Sequence, residues 1–241
     1  MSKNLIAVLL LVASFALASL AFAPVADNVY PIKIIKVAQV PTFPTIQPRV
    51  YERAVGIERE GHLVGSGVIL ETGRVLSAAH VFTLREGEKD YSRYTIRLGV
   101  GVEGHTIASQ IKILQLDTQR DLALLSCFTD KFSQVHLAGT TLPVGAPVVT
   151  VGSPTGVQHD LLSPLGFLSS KRDSAGGGFP GCWIVSASSF FGNSGGGCFE
   201  ANSGYLVGIV SGGAGAPGAC MAPNLMYVVS ADTIRSFLGW E

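Results

Sequence analysis

Three short stretches carry residue types that could work together on an acyl group. Phe191-Gly192-Asn193-Ser194-Gly195-Gly196-Gly197 sets one serine among glycines. A serine hydroxyl is a poor nucleophile until a base takes its proton, and its attack on a carbonyl calls for N–H groups aimed at the developing oxyanion. Glycines let the chain turn sharply enough to expose the hydroxyl and to present the amides of Gly192 and Ser194. Val75-Leu76-Ser77-Ala78-Ala79-His80 ends an apolar run on an imidazole, and its two alanines permit a tight turn that holds His80 at a strand edge facing a cleft. Arg120-Asp121-Leu122-Ala123-Leu124-Leu125 opens an apolar strand with a carboxylate. Burial makes that carboxylate costly unless donors reach it, and an imidazole N–H is a natural donor. Each stretch alone is commonplace: a surface histidine, an aspartate at a strand start, a glycine-rich turn. In the order His, Asp, Ser they compose one apparatus, with His80 as general base and then acid, Asp121 orienting it, and Ser194 as nucleophile. Asp117 lacks the apolar run that follows Asp121 and is the weaker candidate.

Such an apparatus needs rigid elements from distant parts of the chain. From Val50 onward the pattern is short strands with turn punctuation. Val50–Val55, Leu63–Leu70, Val75-Leu76, Tyr94–Leu98, Ile107–Leu116 and Leu122–Phe128 read as strands, with Thr72-Gly73 as a tight turn. Pro147–Val151, Leu161–Leu168, Trp183–Val185, Gly197–Phe199, Tyr205–Val210 and Leu225–Val229 continue the series. This spacing predicts an all-β barrel or sandwich. One helix is expected at the end, capped by Ser230, with Ile234, Phe237 and Leu238 on one face.

The chain has 241 residues, 47% of them apolar and only 14% charged, which excludes a disordered chain. Lys plus Arg and Asp plus Glu both total 17, so no basic surface for nucleic acid is expected. The amino end follows another grammar. Lys3 precedes a stretch from Asn4 to Ala26 without charged side chains, which reads as a cleaved signal peptide over residues 1–23 or a retained membrane anchor. Ala16-Leu17-Ala18 and Ala21-Phe22-Ala23 are the candidate cleavage patterns, and Pro24 argues against the second. Either form places the body outside the cytoplasm: secreted, periplasmic or luminal. Residues 24–49, with Pro24, Pro31, Pro41, Pro44 and Pro48, read as an extended linker, and 50–241 as the folded domain.

The phrases Gly65-Ser66-Gly67-Val68, Val75–His80, Asp121–Leu125, Val151-Gly152-Ser153-Pro154-Thr155-Gly156, Gly192–Gly196 and Val229–Ile234 resemble a trypsin-like (chymotrypsin-fold) serine protease. They are most similar to the Deg/HtrA-type branch, over about residues 50–239. The resemblance implies two six-stranded antiparallel β-barrels, the first over about 50–130 and the second over about 140–229, with a C-terminal helix at 230–239. His80 and Asp121 would sit on the first barrel and Ser194 on the second. It further implies a serine endopeptidase acting on polypeptides through an acyl-enzyme, with no metal and no cofactor. Enzymes of that branch usually carry PDZ domains after the protease domain, and the chain ends at Glu241, too soon for one. Asn193 stands where digestive relatives place an Asp that pairs with a freshly cut amino terminus, so activity is expected without that switch.

The same resemblance gives a substrate pocket. Ser188 occupies the place of the Asp that selects Lys and Arg, so a basic side chain would be buried there unpaired. Ser211-Gly212-Gly213 resembles the strand that pairs with substrate backbone, with Gly213 leaving the entrance open. Glu-specific enzymes of similar fold place a His where Val210 stands. A small or medium uncharged side chain is the remaining expectation. Phe190, Phe191 and Leu225 either narrow the pocket or are ordinary core residues.

Four cysteines, Cys127, Cys182, Cys198 and Cys220, suggest disulfides in an exported chain, with Cys198 tied to either Cys182 or Cys220. His62, His105, His136 and His159 belong to no comparable motif, and scattered histidines without a CxxC pair argue against zinc. Two other readings fit the same residues: a silent protease-fold binding module, and a membrane-tethered viral maturation protease.

Overall fold

The computed structural model describes residues 50, 53–71, 73–84, 90–98, 111–126, 133–139, 141–154, 161–162, 165–171, 181–188, 190–213 and 224–240. The chain divides into two units, Met1–Thr42 and Phe43–Glu241, and every described residue belongs to the second. The expected signal segment and linker lie outside the described residues, as do Cys127, Cys220, His105 and His159. Among the described residues no helix is long and apolar enough to cross a membrane.

The first half is an antiparallel sheet of β1 (Ala54–Arg59), β2 (His62–Glu71), β3 (Arg74–Ser77), β4 (Tyr94–Leu98), β5 (Lys112–Asp117) and β6 (Leu122–Ser126). Their order is β4-β1-β2-β3-β6-β5. Tight turns set the register. Arg59 pairs with His62 across Glu60-Gly61, both at positive φ (54° and 77°), the signature of a two-residue hairpin turn whose twist matches the strands. Glu71 pairs with Arg74 around Gly73, where the expected turn falls. The first strand begins later than Val50, at Ala54, because its ladder partner Val68 fixes that end.

The second half contains β7 (Pro147–Gly152), β8 (Leu161–Leu162), β9 (Gly166–Ser170), β10 (Cys182–Ser186), β11 (Gly197–Glu200), β12 (Leu206–Gly213) and β13 (Met226–Ser230). Its order is β11-β12-β13-β10-β9-β7-β8, and β11 pairs with β7 as well, so six strands close into a ring with β8 outside it. This is the chymotrypsin-like double-barrel architecture. It differs in detail from two equal barrels: the first sheet is curled, with no pairing of β4 to β5 among the described residues. The expected single strand Leu161–Leu168 is also two. β8 pairs with the end of β7, and β9 pairs with its start and with β10.

Period-two alternation explains how near-continuous apolar runs serve this design. Ile69, Val75, Ala123 and Leu125 fill the first sheet's interior. Val148, Val185, Val207 and Val228 fill the closed ring. The intervening residues Leu70, Leu76, Leu122, Leu124, Val149, Val151 and Val229 turn to a shared core between the halves. Helix α1 (Ala231–Leu238) adds Ile234 and Phe237 to that core. It starts where Ser230 accepts from the Thr233 amide and stops at left-handed Gly239.

Candidate active site

His80 lies in a 3-10 turn, Ala79–Phe82, directly after β3, with Ala78 and Ala79 buried beneath it. The side chain of His80 is 44% exposed, as a group facing a cleft must be. Asp121 closes the β5–β6 turn and is buried, 1% exposed. Its φ of 56° is left-handed, a region Asp tolerates better than most residues but one that still carries a cost. Its carboxylate is met from three sides. The His80 amide donates to Oδ1 at 2.9 Å, and His80 Nδ1 lies 3.0 Å from Oδ1 and 2.9 Å from Oδ2. The Ser211 hydroxyl donates to Oδ2 at 2.6 Å. A carboxylate only accepts, so these contacts place the imidazole proton on Nδ1 and leave Nε2 as an acceptor. Asp117 does different work: its Oδ1 accepts the amides of Gln119 and Arg120 and so shapes the turn that delivers Asp121.

Ser211 sits at a bulge. Val210 pairs with Val228 and Gly212 with Tyr227, leaving Ser211 as the extra residue on β12. The bulge turns the Ser211 hydroxyl to Asp121 while its carbonyl faces Ser194, whose Oγ lies 3.4 Å away. The structure thus brings His80, Asp121, Ser211 and Ser194 together. Among the described residues no hydrogen bond joins His80 to Ser194 directly, and Ser188 makes none to this cluster.

The loop bearing Ser194 is tightly held. Asn193 N–H donates to the Phe190 carbonyl at 3.1 Å, closing a turn whose third residue, Gly192, has φ 97°. That is the type II pattern, which requires glycine there. Gly195 (φ 86°) donates to the Val210 carbonyl at 2.7 Å, and a Cβ on it would fall 2.1 Å from the Ser66 carbonyl oxygen. The amides of Gly192 and Ser194 have no acceptor among the described residues. Asn193 lies against Gly152, where a Cβ would come 3.0 Å from its Oδ1. On the neighbouring edge a Cβ at Gly212 would meet nothing within 4 Å, so this stretch faces open space.

Three serines were not singled out by the sequence reading. Ser66, Ser77 and Ser153 are each fully buried. Ser77 donates to the Ser66 carbonyl at 2.6 Å, and the Ser153 amide donates to Ser66 Oγ at 2.7 Å. Polar residues inside apolar strands were the available signal, since buried hydroxyls need partners. Phe190 and Phe191, 63% and 76% exposed, are not core aromatics but stand beside the Ser194 loop. Leu225 is half-buried. The expected disulfide finds no support among the described residues, where Cys198 is a free, buried thiol; its other candidate partner, Cys220, lies outside them. Cys182 on β10 and Cys198 on β11 stand on non-adjacent strands of the ring, and their side chains pack into different cores. His62 and His136 are exposed, the latter beside the Tyr205 ring.

The trypsin-like peptidase domain family matches residues 65–209, which contain His80, Asp121 and Ser194. No curated protein matches the chain. The Rv3671c protease from M. tuberculosis, in its active form, is similar in structure, with a TM-score of 0.62 at 18% identity, covering 81% of this chain and 87% of that one. The MamO protease domain from Magnetospirillum magneticum gives 0.60 at 22% identity, covering 78% and 96%. These two likenesses establish the shared fold. Because the family's domain spans more than half of the sequence, the chain belongs to the trypsin-like peptidases, and it is a serine-type peptidase whose substrates are polypeptides.

Proposed function

We propose that the chain is an endopeptidase that cleaves through Ser194, His80 and Asp121. The observation that carries this reading is the unbroken run of contacts from the His80 ring through Asp121 and Ser211 to the Ser194 hydroxyl. His80 Nε2 takes the Ser194 proton as Oγ bonds to the scissile carbonyl carbon. The tetrahedral intermediate then expels the amine, which leaves with that proton. Water repeats the sequence on the acyl-enzyme and frees the carboxylic acid. Asp121 holds the Nδ1 proton and stabilises the imidazolium. The amides of Gly192 and Ser194 receive the oxyanion, which fits their lack of another acceptor. The missing direct His80–Ser194 bond is compatible with this, because catalytic hydrogen bonds often tighten only when substrate arrives.

Substrate backbone pairs along Ser211-Gly212-Gly213, and a side chain enters past Ser188. Ser188 brings no carboxylate to neutralise Lys or Arg, so small or medium uncharged residues are preferred. Activity needs no amino-terminal trimming, because the neutral side chain of Asn193 cannot form the ion pair of the digestive enzymes. In the Ser194→Ala variant, peptide cleavage and labelling by a fluorophosphonate are both lost. Equal cleavage by that variant and the unaltered protein refutes the reading.

The enzyme works outside the cytoplasm, exported by its uncharged amino-terminal stretch. Sequencing the amino end of the mature protein tests this. A start after Ala18 marks cleavage, an intact Lys3 on membrane-bound protein marks an anchor, and an intact Lys3 on cytoplasmic protein overturns export.

A further inference from the structure

Ser66 occupies an unusual position in this molecule. It is a fully buried polar residue in the middle of β2, in the first sheet, yet both partners of its hydroxyl belong to the second half. Its hydroxyl donates to the Gly192 carbonyl at 2.6 Å and accepts from the Ser153 amide at 2.7 Å. Its own amide donates to the Ser194 carbonyl at 2.7 Å, and its carbonyl accepts from Ser77, three residues before His80, at 2.6 Å. One residue therefore grips the carbonyls of both Gly192 and Ser194, one with its side chain and one with its backbone. These contacts fix the 192–193 and 194–195 peptide units, while the amides of Gly192 and Ser194 belong to the flanking units and have no acceptor among the described residues.

We propose that the Ser66 hydroxyl is a positioning residue for the oxyanion site: by fixing the Gly192 carbonyl it sets the backbone of the nucleophile loop in register with the sheet that carries His80. The inference rests on the reading of Ser194 as nucleophile and of the two amides as oxyanion donors. The amide-to-Ser194 contact is available to any residue at this position. The contact to Gly192 needs a side-chain donor, and the small hydroxyl supplies it where Gly152 crowds to 3.2 Å of Oγ for an added Cβ. A hydroxyl is also the one small group that can donate to Gly192 and accept from Ser153 at once. A loop held this way costs nothing to organise during reaction, which is where oxyanion stabilisation gains its size.

The test is the Ser66→Ala variant. A group that acts only through transition-state donors changes kcat and leaves KM nearly alone. We expect kcat to fall by roughly tenfold to hundredfold, below the loss for deleting a donor itself. Affinity for a peptide boronate, whose adduct with Ser194 is tetrahedral, falls by a similar factor. Ser230→Ala is the control, a buried serine that caps α1 away from the site; it lowers thermal stability with kcat unchanged. Ser66→Cys, close in shape but a weak donor, lowers kcat in the same direction and carries the test if the alanine variant does not fold. A folded Ser66→Ala or Ser66→Cys with unaltered kcat and boronate affinity overturns the inference while leaving Ser194 as nucleophile. Retained cleavage in Ser194→Ala overturns the underlying reading instead, so the two failures are distinct.

Discussion

Two aspartates four positions apart, at the ends of one turn, do opposite jobs. Asp117 spends its carboxylate on the amides of Gln119 and Arg120, and Arg120 sits beside it at 3.4 Å. Asp121, forced left-handed by that turn, points inward to a backbone amide, an imidazole and a hydroxyl. A buried carboxylate depends on its donors, and each one removed is felt, at about 1.5–3 kcal/mol for a hydrogen bond to a charged group. Ser211→Ala removes one donor while leaving the Ser211 carbonyl in place. We expect stability to urea to fall by about 2 kcal/mol, at the middle of that range. Part of that loss appears in catalysis, with kcat down roughly tenfold, equivalent to about 1.4 kcal/mol. Urea titration and steady-state kinetics on one peptide measure both, and unchanged values would show that Asp121 does not depend on Ser211.

At the scale of elements, what could be read from the sequence was whatever local chemistry decides. The β2–β3 hairpin announced itself by Thr72-Gly73, and α1 by its Ser230 cap and its apolar face. The three motifs of the candidate site were legible because each joins a strand end to a chemically committed residue. Long-range pairing was not legible in the same way. Nothing local says that β11 contacts β7, or that Leu161–Leu168 divides its partners between two strands. The bulge at Ser211 was hidden too, since an alternating pattern conceals one inserted residue until the opposing strand is known. Ser66 and Ser153 entered the sequence reading only as parts of longer phrases, and only the packing of two distant segments reveals what their hydroxyl and amide meet. The expectation of a bridge at Cys198 came from cysteine count and compartment, which carry no information about distance; strand order separates it from Cys182, while Cys220 lies outside the described residues.

Among the described residues, two sheets share one core, with a second core inside each. Cys198 lies wholly within the closed ring, and burial pushes its thiol far above the ordinary range, so it stays protonated and unreactive in the folded protein. Iodoacetamide should therefore modify Cys198 only as fast as the ring opens, and added urea should raise that rate in step with the loss of peptidase activity. Mass spectrometry of peptides containing Cys198 follows it; rapid modification in native buffer would contradict the packing. The link between thiol and activity comes from the seam where β11 meets β7, because the strand that shuts the ring begins three residues after Ser194. A hinge elsewhere could slacken and spare the chemistry, but this joint has no such latitude. On the proposed assignment of Ser194, opening that joint also displaces the nucleophile, so ring closure and activity are expected to be lost together.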